Sequence, residues 1–203
     1  MTLDLSGLEK LKAKRPPKKK PEWQPLDLNT LHAGTYLAAD QSISAFGLVL
    51  FEVTPEGQYA VHMAQKFSQS PYEGHEGLLR NVELLEAELA SYIRQWVSSH
   101  DWGVVRAVHE TPPVNKGRMA RPEVSLLTAY AWRRVTSSLP RLPSVGRQHH
   151  CLLICGNGNA DKKIHHAALK ELCQHQVRGF ELVTNEAHRD ALSIALAAAK
   201  RGY

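Results

Sequence analysis

The chain has 203 residues, 43% of them hydrophobic, with a formal net charge of +5 at neutral pH and a mean hydropathy of −0.34. It exceeds the usual domain size of about 100–150 residues, which leaves room for one well-buried core and an appendage. No stretch approaches the roughly 18 uninterrupted apolar residues of a membrane span, and the opening residues carry no apolar signal-peptide core, so neither a membrane protein nor a secreted one is expected.

The basicity is concentrated at the start. Residues 1–22 hold seven Lys/Arg (Lys10, Lys12, Lys14, Arg15, Lys18, Lys19, Lys20) against Asp4, Glu9 and Glu22, and the rest of the chain is nearly balanced. Residues 3–14 admit a short helix. With Pro16, Pro17 and Pro21 interspersed, residues 15–25 read as an extended linker. Such a segment either tracks a phosphate backbone or serves as a solubilising tail. We take residues 1–33 as a basic extension and residues 34–203 as the folded domain.

Tyr36-Leu37-Ala38-Ala39 runs apolar into Asp40, residues 47–53 read as a second strand, Thr54-Pro55-Glu56-Gly57 is a turn signal, and residues 59–64 form a third strand. A long amphipathic helix follows over residues 77–98, because Leu78, Val82, Leu85, Leu89, Ile93 and Val97 recur at spacings of three and four. A strand over residues 103–109 ends at Glu110, where Pro112 and Pro113 stop regular structure. Pro122 opens a second helix over residues 123–138. Cys151 and Cys155 frame the apolar run Leu152-Leu153-Ile154, which reads as a strand. The three cysteines, completed by Cys173, are too few and too oddly numbered for a disulfide framework and lack a CxxC pair. Reduced thiols in a cytoplasmic compartment are therefore expected, and a structural zinc site is not. The loop Gly156-Asn157-Gly158-Asn159 leads into a helix over residues 161–175, and a last helix over residues 186–201 is capped by Asn185 or Thr184.

Three acids stand out. Asp40 and Glu110 each end a strand, the second at the lip of a parallel-type strand where ligand sites of open α/β sheets gather. His109 has the opposite parity. Asp190 interrupts an apolar helical run beside Ala191, Leu192 and Ile194, where an unpaired carboxylate is costly. Taken singly, each has an ordinary reading as a turn residue, a solvated strand end or a surface ion pair. Carboxylates converging from separate elements repel one another, and oxygen-only ligands suit Mg²⁺ or Mn²⁺.

At these residues the chain resembles the RuvC-type Holliday-junction resolvases of the RNase H-like superfamily. Asp40, Ser42 and Gly47 stand in the first-strand motif, here D-x-S-x-x-x-x-G, and Glu110 matches the strand-end glutamate. Asp190-Ala191-Leu192-Ser193-Ile194-Ala195 matches D-A-L-x-I-A, and Gly156 to Lys162 looks like G-x-G-x-A-x-K. The resemblance covers about residues 35–200. It implies an α/β fold of the RNase H-like kind, with a mixed five-stranded sheet flanked by helices. It also implies a structure-selective endonuclease that cuts branched DNA, leaves a 5′ phosphate, uses a two-metal site and acts as a homodimer. Such a protein would work in the cytoplasm, or in a host's cytoplasm if phage-encoded. Asp40, Glu110, Glu186 and Asp190 would hold metal, with Lys162 near the scissile phosphate. One departure is informative: the family places an acid or histidine three residues before the last aspartate, where this chain has Ala187. Glu186, four before, shares a helical face with Asp190 and is favoured over His188. Lys116, Arg118, Arg121, Arg147, Lys162 and Lys163 are the candidate nucleic-acid contacts, with His149 and His150 placed to face the same groove. Other RNase H-like nucleases, acting on flaps or RNA–DNA hybrids, and a non-catalytic DNA-binding module of the same fold remain open.

Overall fold

A computed structural model describes residues 23–41, 45–69, 71, 73–97, 100–111 and 122–202. Its centre is a meander of β1 (Gly34–Asp40), β2 (Phe46–Val53) and β3 (Tyr59–Phe67), antiparallel throughout. The third strand runs three residues beyond its expected end. β4 (Val105–His109) lies parallel to β1, and a two-residue strand, β5 (Val177–Arg178), lies parallel to β3, so the sheet order is β4-β1-β2-β3-β5.

The strands are buried on both faces, and their alternation sorts residues into two cores. Tyr36, Ala38, Val49, Phe51 and Val108 point to one side, where α5 (Glu186–Arg201) lies along the sheet. Leu37, Ala39, Leu48, Leu50 and Ala107 point to the other, against α1 (Gly74–Val97) and Trp132 of α2 (Pro122–Val135). α1 buries Leu78, Val82, Leu85, Leu89 and Ile93, the face expected from its period. A bulge between Leu50 and Phe51 keeps β3 in step: Leu50 pairs with Met63 and Phe51 with Val61, leaving His62 as the extra residue. Leu26 and Leu28 are buried in the α5-side core ahead of β1.

The apolar run at residues 151–155 is not a strand. It belongs to α3 (Arg147–Cys155), which buries His150, Cys151 and Ile154 on one helical face and exposes Leu152. A five-residue apolar run carries no period that separates strand from helix. The local chain decides instead: Gly156 adopts the left-handed conformation and donates its N–H to Leu152 O, closing a helix C-terminus. Beside β4, the edge is occupied by the segment before α3, which makes only isolated parallel bridges, Ala107 to Arg141 and Glu110 to Val145. Pro140 and Pro143 flank or interrupt it and cannot donate to a ladder. The fifth strand therefore sits on the opposite edge, at β3. α4 (Lys162–Cys173) follows, capped by Asp161, whose carboxylate accepts from Ile164 N. No helix among the described residues is long and apolar enough to cross a membrane.

Candidate functional site

Strand parity sets the site. Asp40 continues the Tyr36/Ala38 face of β1, and Glu110 continues the Val108 face of β4, so both carboxyls open towards α5. The backbone ties the two strand ends together, with Glu110 N donating to Ala39 O at 3.1 Å. Opposite Asp40 in the ladder stands Gly47. A Cβ there would lie 2.2 Å from Ala187 O, so only glycine lets the first turn of α5 rest on β2. That close seat puts Asp190, one turn further along α5, over the two strand-end acids.

The three carboxyls feel one another. Burial, then the charges of Glu110 and Asp190, raise the Asp40 carboxyl well above its ordinary range, with Lys162 acting in opposition. Burial and Asp190 also raise Glu110, with the neighbouring Asp40 side chain and the charges of Arg147 and Lys162 acting in opposition. Asp190 behaves oppositely. Burial works to raise it, but the hydrogen bond from His166 and the charge of Lys162 outweigh burial and hold it at about 2. Its Oδ1 lies 2.9 Å from His166 Nε2 and 3.7 Å from His165 Nδ1, and its Oδ2 lies 3.2 Å from Lys162 Nζ.

Behind the acids lies a cluster of histidines. His150 of α3 approaches Glu110 at 3.5 Å, and the His150, His165 and His166 rings follow one another at centroid distances of 5.2 and 5.4 Å. Burial lowers His150 and His165 to about 4, which makes both neutral near pH 7. The Nε2 of His165 is buried with no hydrogen-bond partner among the described residues. Among the described residues, two groups place donor atoms within 4.8 Å of one another: His165, His166 and Asp190, and separately His150, Cys151 and His165.

The structure thus brings together Asp40, Glu110, Asp190 and Lys162. Glu186 joins from the rim: its carboxylate is 65% exposed and meets Lys162 Nζ at 3.3 Å. Burial works against the charge of Lys162, but Asp190 and Glu186 hold its pKa above the ordinary value. His188 turns away, buried against Asn185, whose side chain caps α5. Arg147 is exposed at the start of α3, and its charge reaches Glu110. Lys163 is exposed beside Lys162 and His149 is exposed on α3. His109 faces the other layer, towards Arg133 and Arg141. Ser42, Lys116, Arg118 and Arg121, like the basic stretch of residues 1–22, lie outside the described residues. Sequence reasoning missed His165 and His166. The signal was present for His166, which stands four residues after Lys162 and so shares its helical face.

A divalent cation fits this donor set. Three carboxyls from separate elements approach one another in a largely buried site, two of them are pushed towards protonation by burial and by their neighbours' charges, and a buried imidazole nitrogen nearby has no hydrogen-bond partner among the described residues.

Comparison of structures finds the same architecture in Thermus thermophilus RuvC, alone and in complex with a Holliday junction substrate. Identity is 15%, the TM-score 0.58, and the match covers 82% of this chain and 93% of that one. The yeast mitochondrial Holliday junction resolvase Ydc2 matches at 11% identity and a TM-score of 0.52, over 87% of this chain and 79% of that one. No family model and no curated protein matches the sequence. At these identities the likeness is one of fold: the chain has the RuvC-like arrangement of the RNase H-like class.

Proposed function

We propose that this protein is a divalent-metal-dependent endonuclease that cuts branched DNA, with the four-way junction as its substrate. The observation that carries this reading is the meeting of Asp40, Glu110 and Asp190, from two adjacent strand ends and the helix laid across them, beside Lys162. Asp40, Glu110 and Asp190 would hold Mg²⁺ or Mn²⁺, in a two-metal site, with Glu186 at its rim. When bound, such ions activate water and neutralise the leaving 3′ oxygen of a phosphodiester, giving a 5′ phosphate.

The chain's own residues prepare that chemistry. The α5–Gly47 contact fixes the distance between Asp190 and the strand ends. His166 and Lys162 keep Asp190 ionised, and Lys162, 44% exposed at the open side, is placed to meet a scissile phosphate. Lys163 and Arg147 extend positive charge along the same side, with Lys116, Arg118, Arg121 and the basic stretch of residues 1–22 as further backbone contacts; Leu26 and Leu28 belong to the folded core. On the outward face of α2, Leu126 and Tyr130 are 66% and 59% exposed, which supports a homodimer carrying two sites for two symmetric cuts. Three free cysteines fit a reducing, cytoplasmic setting.

The test is cleavage of a labelled synthetic four-way junction beside linear duplex, flap and RNA–DNA hybrid, with Mg²⁺, Mn²⁺ or EDTA. Paired, metal-dependent nicks near the branch point, absent in Asp190→Asn, are expected. Preferential cutting of flap or hybrid would retain the metal site and overturn the substrate. Tight junction binding with no cutting under any metal would indicate a binding module.

A further inference from the structure

We infer that His166 of α4 supplies a nitrogen ligand to the divalent-cation centre formed by Asp40, Glu110 and Asp190, and so biases that centre towards Mn²⁺ over Mg²⁺. The inference rests on the metal-centre reading above and adds a ligand from an element that contributes none of the expected acids.

The ligand set has a gap on α5. Three residues before Asp190 the chain has Ala187, whose backbone and methyl are packed on Gly47 of β2. That position is 6% exposed and committed to helix–sheet contact. Its two neighbours do not fill the gap. Glu186 is two-thirds exposed and engaged with Lys162, while His188 is buried on the far side, hydrogen-bonded to Asn185. α5 therefore offers Asp190 alone to the interior of the site.

α4 makes good the loss. His166 is 8% exposed, and its Nε2 is 2.9 Å from Asp190 Oδ1, the shortest of the contacts Asp190 makes with Lys162, His165 and His166; on metal binding that nitrogen gives up its proton, and shared ligation replaces the hydrogen bond. The donor atoms of His165, His166 and Asp190 all lie within 4.8 Å of one another. Two ligands on one ion of this size stand at most about 4.2 Å apart, and the 2.9 Å between His166 Nε2 and Asp190 Oδ1 is within that reach. His165 is the weaker candidate of the pair: its Nδ1 is further from Asp190, at 3.7 Å, and it is 1% exposed behind its neighbour, against His150. His166 also shares the α4 face of Lys162, so one helix turn presents both a metal ligand and a phosphate contact. An imidazole nitrogen is a softer donor than a carboxylate oxygen and penalises Mg²⁺ relative to a transition ion.

The test is pulsed electron paramagnetic resonance of Mn²⁺ bound to the full chain, read for the nitrogen-14 modulation of a directly coordinated imidazole. Wild type should bind Mn²⁺ and show that modulation. His166→Gln, close to isosteric, should lose it and bind Mn²⁺ about tenfold or more weakly, with the Mn²⁺/Mg²⁺ preference in competition titrations falling by a similar factor. Bound Mn²⁺ without nitrogen modulation in wild type would overturn the inference and leave an all-oxygen metal centre standing. Modulation retained in His166→Gln but lost in His165→Gln would assign the ligand to His165 and equally overturn it. Wild type that binds no Mn²⁺ would remove the metal-centre reading itself.

Discussion

Two of the histidine–carboxylate pairs lie at opposite ends of the same sheet, and they have different characters. At the carboxyl ends of β1 and β4, His166 meets Asp190 at 2.9 Å with side chains 8% and 13% exposed, and Asp40 and Glu110 press on the same aspartate. At the other end, the bulge residue His62 meets Glu52 at 2.7 Å with side chains 19% and 28% exposed. There the company is aromatic. His62 leans on Trp102 at 4.4 Å, and Trp102, His100 and Trp96 stack in series. The shorter contact is the less consequential one. What separates the pairs is the surrounding charge: the first sits among further acids and a lysine, the second beside aromatic rings.

Mutating the two carboxylates gives the largest expected contrast. Asp190→Asn should lower metal-dependent junction cutting by about a thousandfold or more, the scale of losing several kcal/mol of transition-state charge stabilisation. Glu52→Gln should leave the rate within about twofold, a change worth no more than a few tenths of a kcal/mol. Equal losses from both, measured as single-turnover rates, would show that the acid end is not the reaction centre.

Next in size is the seat of α5. Gly47→Ala forces a methyl to within 2.2 Å of Ala187 O, and overpacking of this kind costs about 1–3 kcal/mol. A thermal melt should show the destabilisation, and cutting should fall with it because Asp190 rides on the displaced turn. Unchanged activity in a destabilised Gly47→Ala protein would separate the helix seat from the site.

Acid titration probes the same aspartate. Its folded pKa is about 2 against an ordinary 3.8, so its ionised form is favoured by the fold. That contribution is fully present above about pH 4 and is lost as pH falls towards 2; it is of order 2 kcal/mol. Asp40 and Glu110 are shifted upwards, chiefly by burial, so their ionised forms cost stability at neutral pH and protonation relieves them. In EDTA, Asp40→Asn should therefore melt higher than wild type, by about 2–4 °C for each kcal/mol relieved, and should lose the further stabilisation that added Mn²⁺ gives wild type. A lower melting temperature in EDTA would contradict the picture of crowded acids.

Much of the acid end is legible in the amino-acid sequence. Asp40 and Glu110 end apolar strands, and Asp190 breaks an apolar helical face. Each is a local conflict between residue type and surroundings, and such conflicts mark functional sites. Gly47 is visible there only as a motif position; its reason, the carbonyl of Ala187, lies on another element. His166 shares the helical face of Lys162, but its partner Asp190 is 24 residues away on a different helix, and the period of one helix places a face without naming what that face meets. The run at residues 151–155 misleads because five apolar residues fit either geometry, while the true fifth strand, Val177–Arg178, is too short to carry a pattern.

The smallest expected effect tests the quiet end of the comparison. His62 is the extra residue of a bulge, so its backbone geometry persists whatever the side chain, and its ion pair with Glu52 is a partly solvated one of the kind worth about 0–1 kcal/mol. His62→Ala removes that pair and one ring contact with Trp102 while leaving the carboxyls and histidines of the acid end in place. Urea unfolding should show a loss of about 1 kcal/mol or less, and Mn²⁺ affinity should match wild type. If His62→Ala weakened Mn²⁺ binding as strongly as loss of His166, the two ends of the sheet would be coupled through β1 and β2, and the charge gathered at the acid end alone would no longer account for the difference between the two pairs.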